Sequence, residues 1–425
     1  MSGNNHNIKS MLGWLYALQR RGIKVGLSHT RELLAGCGNP QNRFPSIHLA
    51  GTNGKGSTTA MIAAILKAAG YKVGMYTSPH LVHFNERIRV NGRPISDTEI
   101  VEFITLFRVP INQVKSTFFE ATTTMALWYF AREKVDVAVI ETGLGGRLDS
   151  TNVLNPVVTV ITPVGLDHTD LLGDSIESIA MEKAGIIKSD TPVILAPQVE
   201  KAEEILCFWA RAVTASVFPV KVNFAKATFR LDSGSEFVWR GKPYSTALLG
   251  KHQILNAACA LEAVQVFNPR ITTIDCQKGL SQVQWPGRLQ LLSESPPVFY
   301  DVAHNPHGIK AILDNLNCIF TQFPVGILAL KGDKELALIA EALCGRLKQL
   351  IVTCIPGTDL IPAKILAQRL TEYKIECVMM SSIDDAIRLM ATVITDETPG
   401  LIFGSHYIAE SVFQRFDFSF ESGVI

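Results

Sequence analysis

From residue 46 onward the chain alternates between continuous apolar runs and segments with helical spacing. "SIHLA" (46–50) is a short run of strand type, and Ala60 to Ala69 is rich in helix formers and stops at Gly70. "YKVGMYTSPH" (71–80) has strand character, while "ISDTEIVEFITLF" (95–107) opens on a capping signal and continues at helical spacing. "EATTTMALWYFAREK" (120–134) predicts a helix, and "VDVAVIETG" (135–143) a buried strand ending in an acid. "PVVTVITPVGLDH" (156–168) predicts a further strand, "SIESIAMEKAGII" (175–187) a helix and "TPVILAPQ" (191–198) another strand. Strands that are apolar throughout and separated by helices imply a parallel sheet covered on both faces. Ligands of such a sheet belong at the strand C-termini.

Between 218 and 249 the pattern changes to short polar alternating pieces, which predict a small antiparallel hairpin insert, followed by a helix over 252–267. "WPGRLQLLSESPPV" (285–298) carries three prolines and marks a domain boundary, which divides the chain into residues 1–289 and 290–425. A second strand–helix alternation then runs through "PVFYDVAHNPHGIKAIL", "VGILALKGDKELALIAEAL", "LIVTCIP", "IECVMM" and "GLIFGSH". The expected fold class is α/β. A mostly parallel sheet domain containing a P-loop is joined to a second, smaller Rossmann-like α/β domain.

Composition narrows the function classes. At 425 residues, 47% hydrophobic and 19% charged, the chain has the make-up of a well-packed globular protein. A formal charge of +1, with basic residues single or paired, gives no field that gathers nucleic acid or an anionic membrane. The eight cysteines contain no C-x-x-C pair, which fits neither a zinc site nor a disulfide framework. With a polar "MSGNNHNIKS" start and no apolar run of membrane length, a cytoplasmic protein is expected.

The densest chemistry is "GTNGKGS" (51–57), where Gly51, Gly54 and Gly56 surround Lys55 between a strand and a helix. That context suits a phosphate-binding loop, because loop N–H groups and the positive end of the helix dipole converge on one anion. Ser57 and Thr58 are expected to cap the helix, with the Ser57 hydroxyl free to meet a metal or phosphate oxygen. Gly56 stands between Lys55 and Ser57, a departure from the standard motif that argues against an ordinary GTPase or ATPase.

Polar groups at other strand ends point the same way. Glu141 ends a buried strand, either as a magnesium ligand or water-orienting acid, or as the cap of a following turn. Ser78 taken alone marks a turn, and His168 a structural or a ligating imidazole. Lys183 lies in an otherwise apolar helix, where a lysine either snorkels to solvent or, if buried, is deprotonated and can form a carbamate. In "DVAHNPHG", Asp301 ends a strand, Asn305 and Pro306 open a helix, and His304 faces its positive end. Arg288 sits at the boundary between the two domains, and "FGSHYIAE" (403–410) forms a second glycine–serine turn into a helix.

Taken together, "GTNGKGS", "YTSPHL", "ETGLGGRLDSTN", "LDHTDLLG", "EKAGI", "PGRLQ" and "DVAHNPH" resemble folylpolyglutamate synthase and dihydrofolate synthase of the Mur ligase superfamily. The resemblance runs from about Gly26 to about His406. It implies an ATP-dependent ligase that joins L-glutamate to dihydropteroate, to reduced folates or, on the pattern of "TFFEATT" (117–123), to both. It implies ATP contacts at Thr52, Asn53, Gly54, Lys55, Gly56, Ser57, Asn256, Arg288 and Asp301. Two magnesium ions would take Ser78, Glu141, His168 and a carbamylated Lys183. The pterin or folate would meet Gly26, Leu27, Thr117, Phe119, Leu148 and Asp149, and glutamate would meet His304, Ser405 and His406. Lys55, Lys183 and His304 are the implied catalytic residues. Partners are small molecules only, and a monomer is expected.

Two other classes share single features. A cell-wall Mur ligase normally carries an extra N-terminal domain, for which the residues before Gly51 are too few. A nucleotide-switch GTPase matches only "DLLG" (170–173), and the chain has no Asn-Lys dipeptide for guanine recognition.

Overall fold

The computed structural model describes residues 2–22, 26–332 and 335–418, so the outer domain limits at residues 1 and 425 lie outside it. The first sheet has eight strands: β1 Ser46–Ala50, β2 Val73–Tyr76, β3 Ile88–Val90, β4 Arg93–Pro94, β5 Val137–Glu141, β6 Val158–Ile161, β7 Val193–Leu195 and β8 Val217–Pro219. Their spatial order is β4-β3-β2-β5-β1-β6-β7-β8. From β2 to β8 every pairing is parallel, and β1 sits at the centre with Leu49 beside Glu141 and Ala50 beside Ile161. β3 and β4 extend the β2 edge antiparallel, so the sheet is mostly parallel, as expected, with one antiparallel edge that the sequence reading did not separate out. Two short strands with no crossover helix between them leave no periodic signal for that edge.

Both sheet faces are covered, as buried apolar strands require. On one face, helices Lys55–Ala68 and Lys251–Phe267 pack Met61, Ile62, Ile65, Ile254 and Leu261 against Leu49, Val139 and Val160. On the other, helices Asp97–Gln113 and Phe118–Glu133 pack Phe103, Ile104, Met125 and Phe130 against Tyr76 and Ile140. Both helices of this second face open on reciprocal caps, Ser96 with Glu99 and Thr117 with Glu120.

The 218–249 segment holds a three-stranded antiparallel sheet, β9 Thr228–Arg230, β10 Gly234–Trp239 and β11 Lys242–Thr246. It is one strand larger than a hairpin, and β8 belongs to the main sheet instead. The third sheet comprises β12 Gln290–Glu294, β13 Pro297–Asp301, β14 Val325–Leu328, β15 Gln349–Val352, β16 Val378–Met379 and β17 Gly400–Phe403. Its order is β12-β13-β17-β14-β15-β16, parallel except for β12, with an apolar cluster on each face. Among the described residues no helix is long and apolar enough to cross a membrane.

Helix Thr273–Gln282 crosses helix Lys55–Ala68 at Gly279, where an added Cβ would stand 2.5 Å from the Ile65 Cα. Backbone cannot yield there as a flexible side chain can. Gly279→Ala is expected to destabilise the fold by about 1–3 kcal/mol. Calorimetric unfolding checks this, and an unchanged Tm would show that the two helices are free to separate.

Candidate active site

One cavity of about 340 Å³ opens where the C-terminal ends of β1, β2 and β5 face the ends of β13 and β17. The glycine loop forms its floor. Gly54 adopts φ +86° and is itself the N-cap of helix Lys55–Ala68. This corrects the expectation that Ser57 and Thr58 cap the helix: both lie inside it and are buried. A glycine reaches the left-handed geometry that starts the helix, so no hydroxyl cap is needed. Thr52 fixes the loop from below, since its hydroxyl meets the Gly165 carbonyl at 2.9 Å and its N–H donates to the Pro163 carbonyl at 2.9 Å.

Lys55 and Lys183 converge on the Gly51 carbonyl, with Nζ–O distances of 3.0 and 2.8 Å. Lys183 comes from helix Ile176–Ala184 and is only 4% exposed, so it does not snorkel to solvent. Burial, reinforced by the Lys55 charge, lowers its pKa to about 7. A substantial fraction is therefore neutral amine at neutral pH.

Glu141 is buried at the end of β5 and accepts the Ser78 N–H at 3.2 Å. Burial raises its pKa, against the opposing pull of Lys55, the Ser78 N–H and Arg288. His168 lines the same cavity, but the strand that was expected to carry it ends at Ile161. His168 is instead the left-handed residue before the short helix Thr169–Leu172, exposed on a loop. Leaving the sheet earlier lets residues 162–168 turn back over the glycine loop.

The opposite wall comes from the C-terminal part. Asp301 accepts the Leu289 N–H and the Ala303 N–H, both at 2.7 Å, which ties the end of β13 to the segment carrying Arg288. Its carboxyl is pushed up by burial and held down chiefly by Arg288. Asn305 caps helix Pro306–Ile319 by accepting the Gly308 N–H at 2.8 Å. His304 places its ring nitrogens 2.8 Å from the Val302 carbonyl and 3.4 Å from the Asp167 carboxylate. Ser405 and His406 complete the wall, and burial lowers the His406 pKa to about 4, helped by His304. Asn256 approaches from helix Lys251–Phe267, its amide held by Gln253 at 3.0 Å.

The structure thus gathers Thr52, Asn53, Gly54, Lys55, Gly56, Ser57, Ser78, Glu141, His168, Lys183, Asn256, Arg288, Asp301, His304, Ser405 and His406 around one space. Gly26, Leu27, Thr117, Phe119, Leu148 and Asp149 do not line it. Several of them stand one layer behind. The Phe119 ring packs on Gly143 of the wall, and His29 beside Leu27 reaches Glu120, the capping partner of Thr117, at 3.3 Å. Asp149 gives one oxygen to the Gly143 and Leu144 N–H groups and the other to Thr151. Every carboxylate lone pair aimed at those donors is occupied, so Asp149 shapes the loop rather than presenting a carboxylate to the cavity.

One contributor escaped the sequence reading, Asp167, which accepts from Asn305 at 3.1 Å. Beside it Asn53 exchanges amide hydrogen bonds with Asn305 at 3.0 and 3.3 Å and meets His307 at 3.3 Å. The only signal for Asp167 was its place beside His168, because its partners are far away in sequence.

A family model described as "Mur ligase middle domain" matches residues 49–264, and one described as "Mur ligase, glutamate ligase domain" matches residues 287–406. The chain is 38% identical over 355 residues to the Bacillus subtilis dihydrofolate synthase/folylpolyglutamate synthase, covering 78% of this chain and 83% of that one. It is similar to the crystal structure of Mycobacterium tuberculosis folylpolyglutamate synthase complexed with ADP and AMPPCP. That match has a TM-score of 0.87 and 33% identity over 96% of this chain and 99% of that one. A bifunctional folylpolyglutamate synthase/dihydrofolate synthase with Mn, AMPPNP and L-glutamate bound matches at TM-score 0.83 and 27% identity, over 96% and 98%.

A Cβ at position 54 would lie 2.3 Å from the Asn256 Oδ1 on a backbone that disfavours side chains. Gly54→Ala is expected to weaken ADP binding about 5- to 150-fold, since loop strain of this kind costs roughly 1–3 kcal/mol. Titration calorimetry on the folded variant checks this, and wild-type affinity would show that the loop is not the nucleotide cradle.

Proposed function

The chain belongs to the Mur ligase family, and on that premise we propose that it is an ATP-dependent ligase joining L-glutamate to dihydropteroate and to reduced folates. The observation that carries this reading is the two-walled cavity. A phosphate loop with its lysine forms one side, and a helix N-terminus with His304, Ser405 and Arg288 forms the other. We place the division between the ATP-binding and glutamate-ligase parts at 289/290, because β12 begins at Gln290. Both walls come from one chain, which supports a monomeric enzyme, and eight free cysteines support a cytoplasmic setting.

A carboxylate does not accept an amine at neutral pH, because oxide is a poor leaving group. Transfer of the γ-phosphoryl group from ATP to the acceptor carboxylate gives an acyl phosphate and ADP. The glutamate amine then attacks the acyl carbon, phosphate leaves, and the amide remains. In this scheme the N–H groups of residues 54–57 and the Lys55 ammonium hold the transferring phosphate. Asn256, Arg288 and Asp301 would position the nucleotide. His304, Ser405 and His406 would receive glutamate at the positive end of helix Pro306–Ile319.

Phe119 and the residues 147–149 loop, with Gly26, Leu27 and Thr117 behind them, would shape the folate side. The backbone and packing of this group, rather than the Asp149 carboxylate, would do so.

A hard divalent cation fits the donors present. Glu141 has a single hydrogen bond on one oxygen, Ser78 adjoins it, and His168 lines the same space. Among the described residues no cluster of three His, Cys, Asp or Glu side chains is close enough to hold a metal alone. Oxygens of the nucleotide phosphate would therefore complete the shell. Such an ion supplies neutralising charge to the phosphates. Lys183, buried and partly unprotonated, fits a carbamate whose oxygens would serve a second ion.

Incubation with ATP, Mg²⁺, L-glutamate and either dihydropteroate or tetrahydrofolate, with products read by mass, tests the assignment. A glutamylated product is expected from both acceptors, and ADP release with neither would overturn the folate reading. Lys55→Ala is expected to lower kcat about 10²–10³-fold in a folded protein. Unchanged turnover would remove the phosphate-loop role.

Lys183 reacts with carbon dioxide only as the free amine, so carbamate should increase as pH rises through about 7. In ¹³C-bicarbonate a carbamate carbon resonance is expected to grow between about pH 6 and 8 and to be missing from Lys183→Arg. Its absence from the wild type at the upper pH would defeat the modification.

A further inference from the structure

Arg87 is a buried cation that the roles above do not use. It closes the short turn Phe84–Arg87 and is 7% exposed. Its Nε donates to His80 Nδ1 at 2.8 Å, and the guanidinium lies 5.3 Å above the centre of the Phe118 ring. Glu86 and Glu141 attract it only through space, and the Glu86 oxygens are committed to the amides of Leu81, Val82 and His83. Among the described residues no carboxylate forms an ion pair with Arg87, and its two terminal amino groups have no protein acceptor. A buried charge with no carboxylate in direct contact is unfavourable, and a ligand that supplies one relieves it.

The surroundings indicate what that is. Ser78 and Leu81 of the same segment line the cavity, Arg87 stands directly behind them, and its charge lowers the pKa of Glu141 and of His406 on the cavity walls. On its other side is an aromatic nest in which Tyr16 stacks on Phe118 at 5.5 Å and Phe84 meets Phe118 edge-on. His80, pinned as an acceptor by Arg87 Nε, is held neutral and props the guanidinium without competing for an anion. A fork of N–H donors beside aromatic rings and just behind the wall of a phosphate-transfer cavity suits the carboxylate of an acceptor that carries an aromatic ring.

We propose that Arg87 binds the carboxylate of the aromatic acceptor and holds it toward the glycine loop, a role that rests on the acceptor assignment above. The guanidinium is a binding group for the acceptor and not for ATP or free glutamate.

The test uses the full chain saturated with AMPPCP and Mg²⁺. Calorimetry compares dihydropteroate with its neutral primary carboxamide on wild type, Arg87→Gln and Arg87→Lys, alongside kcat and KM for each substrate. Wild type is expected to prefer the acid over the amide on the order of 10²-fold. Arg87→Gln should lose that preference, with a raised KM for dihydropteroate and unchanged affinity for AMPPCP and for the amide. Arg87→Lys should retain part of the preference. Equal loss of acid and amide binding, or no loss of either, would make Arg87 a scaffold residue and overturn the inference. If Arg87→Gln does not fold, the wild-type preference and the Arg87→Lys values decide, and a wild type indifferent to the acid overturns it. Wild type that binds neither compound would instead overturn the acceptor assignment, and this inference with it.

Discussion

Two lysine nitrogens meet at one backbone oxygen, the carbonyl of Gly51, and much of the site is arranged around that meeting. Two full ammonium charges so close together, one of them buried, repel strongly at low effective dielectric. The structure relieves this by burying Lys183, so that its proton is held weakly while Lys55 faces the cavity. The position of Lys183 depends in turn on the loop after β5. Arg147 donates its N–H to the Glu182 carbonyl at 2.7 Å and pairs with the Glu182 side chain at 2.7 Å. That ion pair is half exposed and contributes little by itself, whereas the backbone bond fixes the helix that carries Lys183.

The same loop therefore connects two sides of the cavity. Asp149 holds Gly143 and Leu144, and Gly143 receives the Phe119 ring. Arg147, two residues before Asp149, anchors the helix of Lys183. A shift on the Phe119 side cannot leave Lys183 and the Gly51 carbonyl unaffected, because packed backbone does not absorb displacement gradually.

Most of this was visible in the order of residues. The strands β1, β5, β6 and β7 appeared as apolar runs because a parallel sheet is buried on both faces, and the glycine loop appeared because its context is local. What escaped was non-local or non-periodic. The β3–β4 edge is too short to show alternation. His168 was placed on a strand since "PVVTVITPVGLDH" has no clear stop, although Pro163 and Gly165 mark where the strand has ended. The helix cap was assigned to hydroxyls because they are usual, while here Gly54 φ supplies the turn. Arg87 and Asp167 look like ordinary charged residues in sequence. Their significance lies in having, or lacking, partners brought in from other elements.

The boundary between the two halves of the chain is built differently at its two ends. Away from the cavity it is apolar: Leu249 belongs to the cluster on one face of the third sheet, Phe229 and Leu231 pack against that cluster, and Leu81 and Val82 pack against the cluster on the sheet's other face. At the cavity it is polar, where Asn53, Asp167 and Thr169 bond Asn305, His304 and Glu335. Apolar contact is non-directional and tolerates small rotations, whereas these hydrogen bonds demand alignment within tenths of an ångström. The polar end is thus the part of the boundary most sensitive to angle, and it includes Asn53 of the glycine loop itself. A phosphate that moves residues 52–54 must also move the amide pair with Asn305, and through it the helix N-terminus beside His304. Occupancy of one wall is mechanically tied to the alignment of the other, at the place where an acyl phosphate has to be kept from water.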